Sequence, residues 1–211
     1  MSLFITLEGP EGSGKSTQAP RLAERLRRQG RDVLLTREPG GTAIGDQIRR
    51  VLMSLDNTSM NPRTEILLFS ASRAQIVHEV IRPHLEHEGI VVCDRFYDST
   101  LAYQGYGHRL DLDALKAITR FATGGLIPDL TILLDMPVER GLARRQRAGG
   151  WNRLDAYDLA FHERVRKGYF ELAREEPNRW LVVDADREPD VVEESVWQAV
   201  EPRLPAVSLL A

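Results

Sequence analysis

The sequence predicts a doubly wound α/β fold, a five-stranded parallel sheet flanked by helices. Three observations carry this prediction. Five short apolar runs are nearly continuous rather than alternating, as strands buried on both faces are. Segments with helical periodicity lie between those runs, which implies right-handed crossovers. A glycine-rich turn joins the first run directly to the first helical segment. Sheets of this kind bind ligands beyond the carboxyl ends of their strands.

The strands expected, in order, are Leu3–Glu8, Asp32–Thr36, Gly89–Asp94, Asp129–Asp135 and Arg179–Asp184. The first helix, Lys15–Gln29, sets Leu22, Ala23 and Leu26 on one face and stops at Gly30. A longer helical pattern, Arg63–Glu88, has Ile66, Phe69, Ala74 and Val77 among its apolar positions. Pro83 lies inside it and should kink or divide it, because proline has no N–H to donate. Asp111–Thr123, Val138–Ala148, Asp155–Glu176 and Pro189–Val200 complete the set. With no repeat and no low-complexity linker, residues 1–211 read as a single domain, and the tail Glu201–Ala211 carries no motif.

Composition narrows the class. The 42% apolar and 28% charged residues are those of a globular protein with a real core. A net charge of −3 gives no general attraction to nucleic acid or anionic membrane, so any anion site is local. No apolar run approaches the roughly 20 residues that span a bilayer, and the N-terminus does not read as a signal peptide. The single cysteine, Cys93, excludes an intramolecular disulfide and a multi-cysteine metal site. It reads as a buried, unreactive strand residue, and the cytoplasm is the expected address.

The turn after the first strand is Gly9, Pro10, Glu11, Gly12, Ser13, Gly14, Lys15, Ser16 and Thr17. It fits the GxxxxGK[ST] phosphate-binding pattern, with a strand before it and a helix after. Successive N–H groups of such a loop converge on phosphate oxygens, and the positive end of the next helix points at them. Lys15 can bridge the β- and γ-phosphates, and Ser16 can bind Mg²⁺. Asp94 ends the third strand at the same edge, where a carboxylate organises Mg²⁺ directly or through water. Arg37 and Arg95 follow the ends of the second and third strands, so they suit a second phosphate, which guanidinium groups bind bidentately. The plainer alternative pairs each with a neighbouring acid, such as Glu38 or Asp98. No Asn-Lys-x-Asp segment for guanine recognition is present, which disfavours a nucleotide-controlled switch.

Phe4–Thr17, Thr36–Thr42, Ser72 to Gln75, Asp94 to Phe96, Ala102 to Gly105 and Pro128–Asp135 together resemble the thymidylate kinases, over residues 3 to about 184. The resemblance implies a P-loop nucleoside monophosphate kinase-like fold, transfer of phosphate from ATP to dTMP with Mg²⁺, and a homodimer. It also assigns roles. Phe69 stacks on thymine, Arg73 bonds a thymine carbonyl, and Thr100 and Gln104 read the rest of the base edge. Tyr103 packs on the sugar and disfavours a 2′-hydroxyl, and Glu11 accepts from the 3′-hydroxyl. Arg95 and Arg37 hold the monophosphate. Phe69 and Tyr103 are equally compatible with ordinary core positions.

Some members of this family carry a catalytic arginine in the loop just after the acid. That position is Gly12 here, so the chain resembles the variant in which a lid supplies the charge. The basic segment Arg144–Arg153, within a lid at about 142–155, suits that role, with Arg147 and Arg153 favoured for the γ-phosphate. Asn152 stands where family lids often have an acid. A solvated basic helix end is the alternative. The rivals on the same fold are another nucleoside monophosphate or deoxynucleoside kinase and, more distantly, a P-loop switch ATPase or GTPase.

Overall fold

Aliphatic and β-branched runs form five strands, β1 Leu3–Glu8, β2 Val33–Arg37, β3 Ile90–Asp94, β4 Leu130–Asp135 and β5 Trp180–Asp184. The computed structural model describes residues 2–204, so the end of the 201–211 tail lies outside the described residues. Strand order is β2-β3-β1-β4-β5, with every pair parallel. The fold class therefore stands as read from the sequence.

Alternation along β1 divides the core. Leu3, Ile5 and Leu7 face one side, packed by Leu22 and Leu26 of α1 (Lys15–Arg28) and by Val196 and Trp197 of α9 (Pro189–Val200). Phe4 faces the other, packed with Val91 and Cys93 and with residues of five further helices. Those are α3 (Pro62–Ile76), α4 (Arg82–Glu86), α5 (Tyr97–Thr100), α6 (Leu112–Thr123) and α8 (Leu159–Glu175), while α7 (Val138–Ala148) follows β4.

Four helical regions differ from the sequence expectation. A helix α2, Ala43–Met53, follows the β2 turn, capped by Thr42, whose hydroxyl accepts from Gly45 N–H at 2.9 Å. The cap and the Ile48–Leu52 spacing are its sequence signal, hidden because the preceding turn reads as a ligand loop. The expected Arg63–Glu88 helix is divided, as Pro83 requires, but by a π-helical turn at Val77–Ile81 that lets the chain enter α4. The helix expected from Asp155 begins at Leu159, where Asp158 accepts from Phe161 N–H at 2.6 Å. A second π-helical stretch, Leu101–Gly107, continues α5.

Candidate active site

The phosphate-binding loop lies between β1 and α1 at the carboxyl edge of the sheet. Gly12 has φ 70°, and a Cβ there would stand 2.0 Å from the carbonyl oxygen of Gly141 in α7. At Gly9, φ 143°, a Cβ would stand 2.3 Å from the carbonyl oxygen of Leu134. The loop is thus seated backbone-to-backbone on its neighbours. Position 12 has no room for a side chain, so the loop itself carries no arginine there. Lys15 is buried, and its Nζ donates to Gly9 O (3.0 Å), Pro10 O (2.7 Å) and Ser13 Oγ (3.1 Å). Burial, then repulsion from Arg95, brings its pKa down to about 8 against the pull of Glu11 and Asp94.

Arg95 adopts a left-handed conformation, φ 70°, which side chains rarely occupy. The adjoining backbone is tied down: Arg95 N–H donates to Leu7 O at 3.0 Å and Phe96 N–H to Glu8 Oε1 at 2.7 Å. The turn aims the guanidinium back over the loop. Its Nη1 donates to Gly9 O, Ser99 Oγ and Tyr169 Oη, each at 3.1 Å, and its Nη2 to Glu11 Oε1 at 2.9 Å and Tyr103 Oη at 3.1 Å. Burial works against the Glu11 charge, but Arg95 and Lys15 outweigh it and hold the carboxyl down at about 2. Tyr103 also donates to Glu11 Oε1, at 2.7 Å. Glu11, Arg95 and Tyr103 therefore meet as one cluster, with Arg95 paired to Glu11 rather than to Asp98.

Behind them stands Glu8, fully buried at the end of β1. Besides Phe96 N–H it accepts from Ser99 Oγ at 2.6 Å and Tyr169 Oη at 2.9 Å. Burial, then nearby Asp98, pushes its carboxyl up to about 7. Glu8 and Tyr169 were not picked out from the sequence. An acid closing an apolar strand directly before the loop was the available signal for the first, whereas Tyr169 had none.

One cavity of about 410 Å³ joins these groups. Its walls include Lys15, Ser16 and Thr17 of the loop helix, Arg37 and Arg49, Asp94 and Arg95, Phe69 and Arg73, and Thr100, Tyr103 and Gln104. Arg37 is exposed and meets Asp46 at 3.4 Å, not Glu38. Arg73 is buried, with Nε donating to Glu38 Oε2 at 2.7 Å, and its Nη1 has no hydrogen-bond partner among the described residues. The buried Thr100 hydroxyl is likewise unpartnered. Both line the same cavity wall as Phe69, where a polar ligand edge could satisfy them.

The basic segment differs from expectation. Arg144 and Arg145 line the cavity, while Arg147 is exposed on another flank of α7 and Arg153 is buried outside the cavity wall. Arg153 is drawn away by a buried acid: it pairs with Glu65 at 2.5 Å, and donates to Leu52 O and Tyr157 Oη, each at 2.9 Å. Arg145 rests on Asp155 at 3.1 and 3.3 Å and on the carbonyls of Gly149 and Gly150. Arg144 donates to Ala185 O at 3.1 Å. Sequence order alone does not report which of these arginines a buried acid captures.

A phosphate loop between a strand and a helix, opening into an arginine-lined extension of the same cavity, has the features of a P-loop phosphotransferase that takes a second, phosphorylated substrate. The thymidylate kinase family model matches residues 7–196. A thymidylate kinase of Roseiflexus sp. is 53% identical, covering 100% of this chain and 98% of the relative. One of Deinococcus radiodurans is 53% identical, covering 95% and 97%. The crystal structure of thymidylate kinase from Ehrlichia chaffeensis superposes with a TM-score of 0.78 at 33% identity, covering 94% of this chain and 98% of that one. The chain belongs to the thymidylate kinase family.

Proposed function

We propose that the chain transfers the γ-phosphoryl group of ATP to dTMP, giving dTDP and ADP in the synthesis of dTTP. The observation that carries this reading is the single cavity joining the phosphate loop to Arg95 and Arg37 and to the unpartnered Arg73 and Thr100 groups beside Phe69. ATP phosphates lie in the amides of Gly9–Thr17 with Lys15 swung onto them. The dTMP phosphate lies on Arg95 and Arg37. Its base stacks on Phe69, its edge meets Arg73, Thr100 and Gln104, its sugar packs on Tyr103, and its 3′-hydroxyl donates to Glu11.

A phosphate monoester is already anionic at neutral pH, so no general base is needed. Its oxygen attacks the γ-phosphorus in line, and positioning with charge neutralisation supplies the catalysis. The Ser16 hydroxyl and the Asp94 carboxylate, directly or through water, would hold Mg²⁺, which takes few protein ligands and would supply positive charge at the transferring group. The chain acts as one kinase domain over 1–211, whose lid at 142–155 closes to bring its arginines over the γ-phosphate and exclude water.

A homodimer is part of the reading. Leu67 on α3 and Phe121 on α6 are 59% and 90% exposed on helices that pack together, and a second copy would cover them. The cytoplasm is the proposed compartment. Among the described residues no helix is long and apolar enough to cross a membrane, and the free Cys93 is buried.

The test measures ADP release from ATP with dTMP, dUMP, dCMP, dGMP, AMP, GMP and UMP offered separately. A strong preference for dTMP supports the reading. Preference for another monophosphate would displace the base-pocket roles, and ADP release indifferent to acceptor would remove the kinase.

A further inference from the structure

Glu65 is a buried acid that the reaction described above does not use. It stands on α3 behind the cavity wall and is surrounded by donors. Its Oε1 accepts from Gln104 Nε2 at 2.6 Å, with His108 Nε2 3.5 Å away. Its Oε2 accepts from Tyr157 Oη at 3.2 Å and pairs with Arg153 at 2.5 Å. Burial alone would raise its pKa, but His108, Arg153 and Gln104 outweigh that and hold it below the ordinary carboxylate range. An ionised carboxylate offers acceptors only, so the amide atom of Gln104 that faces it is the NH₂ group. The carbonyl end of the same amide therefore points the other way. Gln104 lines the cavity beside Thr100 and Arg73.

We propose that Glu65 is a specificity-positioning residue: it fixes the Gln104 amide so that an acceptor oxygen faces the incoming base, favouring a pyrimidine with N–H at ring position 3 over one with a lone pair there. This rests on the reading of Gln104 as a base contact. Thymine and uracil carry that N–H. Cytosine carries a lone pair, which would oppose the Gln104 oxygen and leave two acceptors unpaired out of water. Arg153 and Tyr157 complete the device, because they occupy Oε2 and so lock the carboxylate from the end of the lid segment.

The test follows from the same geometry. In Glu65→Gln, Arg153 and Tyr157 claim the new amide oxygen. Its NH₂ then faces Gln104, which turns its own oxygen inward and its NH₂ toward the base. The readout is the ratio of kcat/KM for dTMP to that for 5-methyl-dCMP, acceptors that differ only at position 4 and N3. The ratio is independent of the folded fraction. It should fall at least ~10-fold in Glu65→Gln and in Gln104→Ala. Equal losses on both acceptors in Glu65→Gln, with the ratio lowered only in Gln104→Ala, would overturn the proposal and leave the Gln104 reading standing. An unchanged ratio in Gln104→Ala removes both, and a wild-type enzyme with no preference for dTMP removes the substrate reading beneath them. Should Glu65→Gln not fold, the unmodified protein decides. The Gln104 side-chain NH₂ protons, assigned by NMR, should stay protected from exchange and unshifted when dTMP binds. A large shift on binding means the NH₂ contacts the base and the proposal fails.

Discussion

The acceptor end and the donor end of the cavity hold their cations differently. At the acceptor end Arg95 makes five hydrogen bonds to groups that are themselves fixed: Gly9 O, Ser99, Tyr169, Glu11 and Tyr103. Its position is set before any substrate arrives. At the donor end Lys15 bends onto the carbonyls of its own loop, and Arg145 onto those of Gly149 and Gly150. These contacts satisfy the cations but are not ones a nucleotide-bound site can keep. The contrast suggests a division of labour: a rigid acceptor pocket that selects, and donor-side charges that move onto the phosphates as the lid closes.

The largest effect expected from this division is on Lys15. Lys15→Ala should lower kcat by about 10³-fold, on the order of 4 kcal/mol of transition-state stabilisation, and leave dTMP affinity within a few-fold of wild type. Steady-state kinetics together with calorimetric titration of dTMP without ATP separates the two. A comparable loss of dTMP affinity would show that the two ends are not independent.

The next effect tests the rigidity of the acceptor end through Glu8. Buried Glu8 keeps its proton up to about 7, whereas in the unfolded chain it releases it near 4.5. Between those values the folded state binds the extra proton, so stability falls as pH rises across the window and levels off above it. The drop from this one group is about 3 kcal/mol. Glu8→Gln keeps the acceptor for Phe96 N–H, while the Ser99 and Tyr169 hydroxyls can rotate to accept from its NH₂. Urea unfolding from pH 4.5 to 8 should show the variant losing that share of the slope. Glu38, also raised to about 7 by burial against the pull of Arg73, leaves a remainder. An unaltered slope would mean that Glu8 does not titrate in the window.

The same contrast explains what was legible in the sequence. The loop, the strand ends carrying Asp94 and Arg95, and the five strands follow from local pattern: a fixed motif, apolar runs and their termini. The sheet order, β2-β3-β1-β4-β5, does not follow from those runs or from crossover handedness alone. What pattern could not carry was partner choice among many arginines. Arg37 meets Asp46, nine residues on, and Arg153 is claimed by Glu65, 88 residues away in sequence, which also accepts from Gln104, 39 residues on. Helix α2 was missed for a related reason, since Thr42 serves both as the end of a ligand turn and as a helix cap. Electrostatic pairing across the fold is a tertiary property, so which lid arginines face the cavity does not follow from sequence order.

The smallest effect concerns that lid and sharpens the contrast most. Arg145 lines the cavity yet is held by Asp155 and by two lid carbonyls, so reaching a γ-phosphate requires these bonds to be exchanged for phosphate contacts. Arg144, beside it, remains to share the developing charge, so removing Arg145 alone should not abolish transfer. Arg145→Ala is expected to lower kcat about 10-fold with the KM for dTMP unchanged. Arg153→Met, by contrast, leaves Glu65 buried without its cation, and should lower the melting temperature far more than Arg145→Ala does. Measuring kcat and melting temperature on both variants assigns each arginine to chemistry or to architecture. If Arg153→Met loses kcat without losing stability, the lid arginine favoured by sequence order moves into the site on closure, and the donor end is more mobile than its hydrogen bonds alone require.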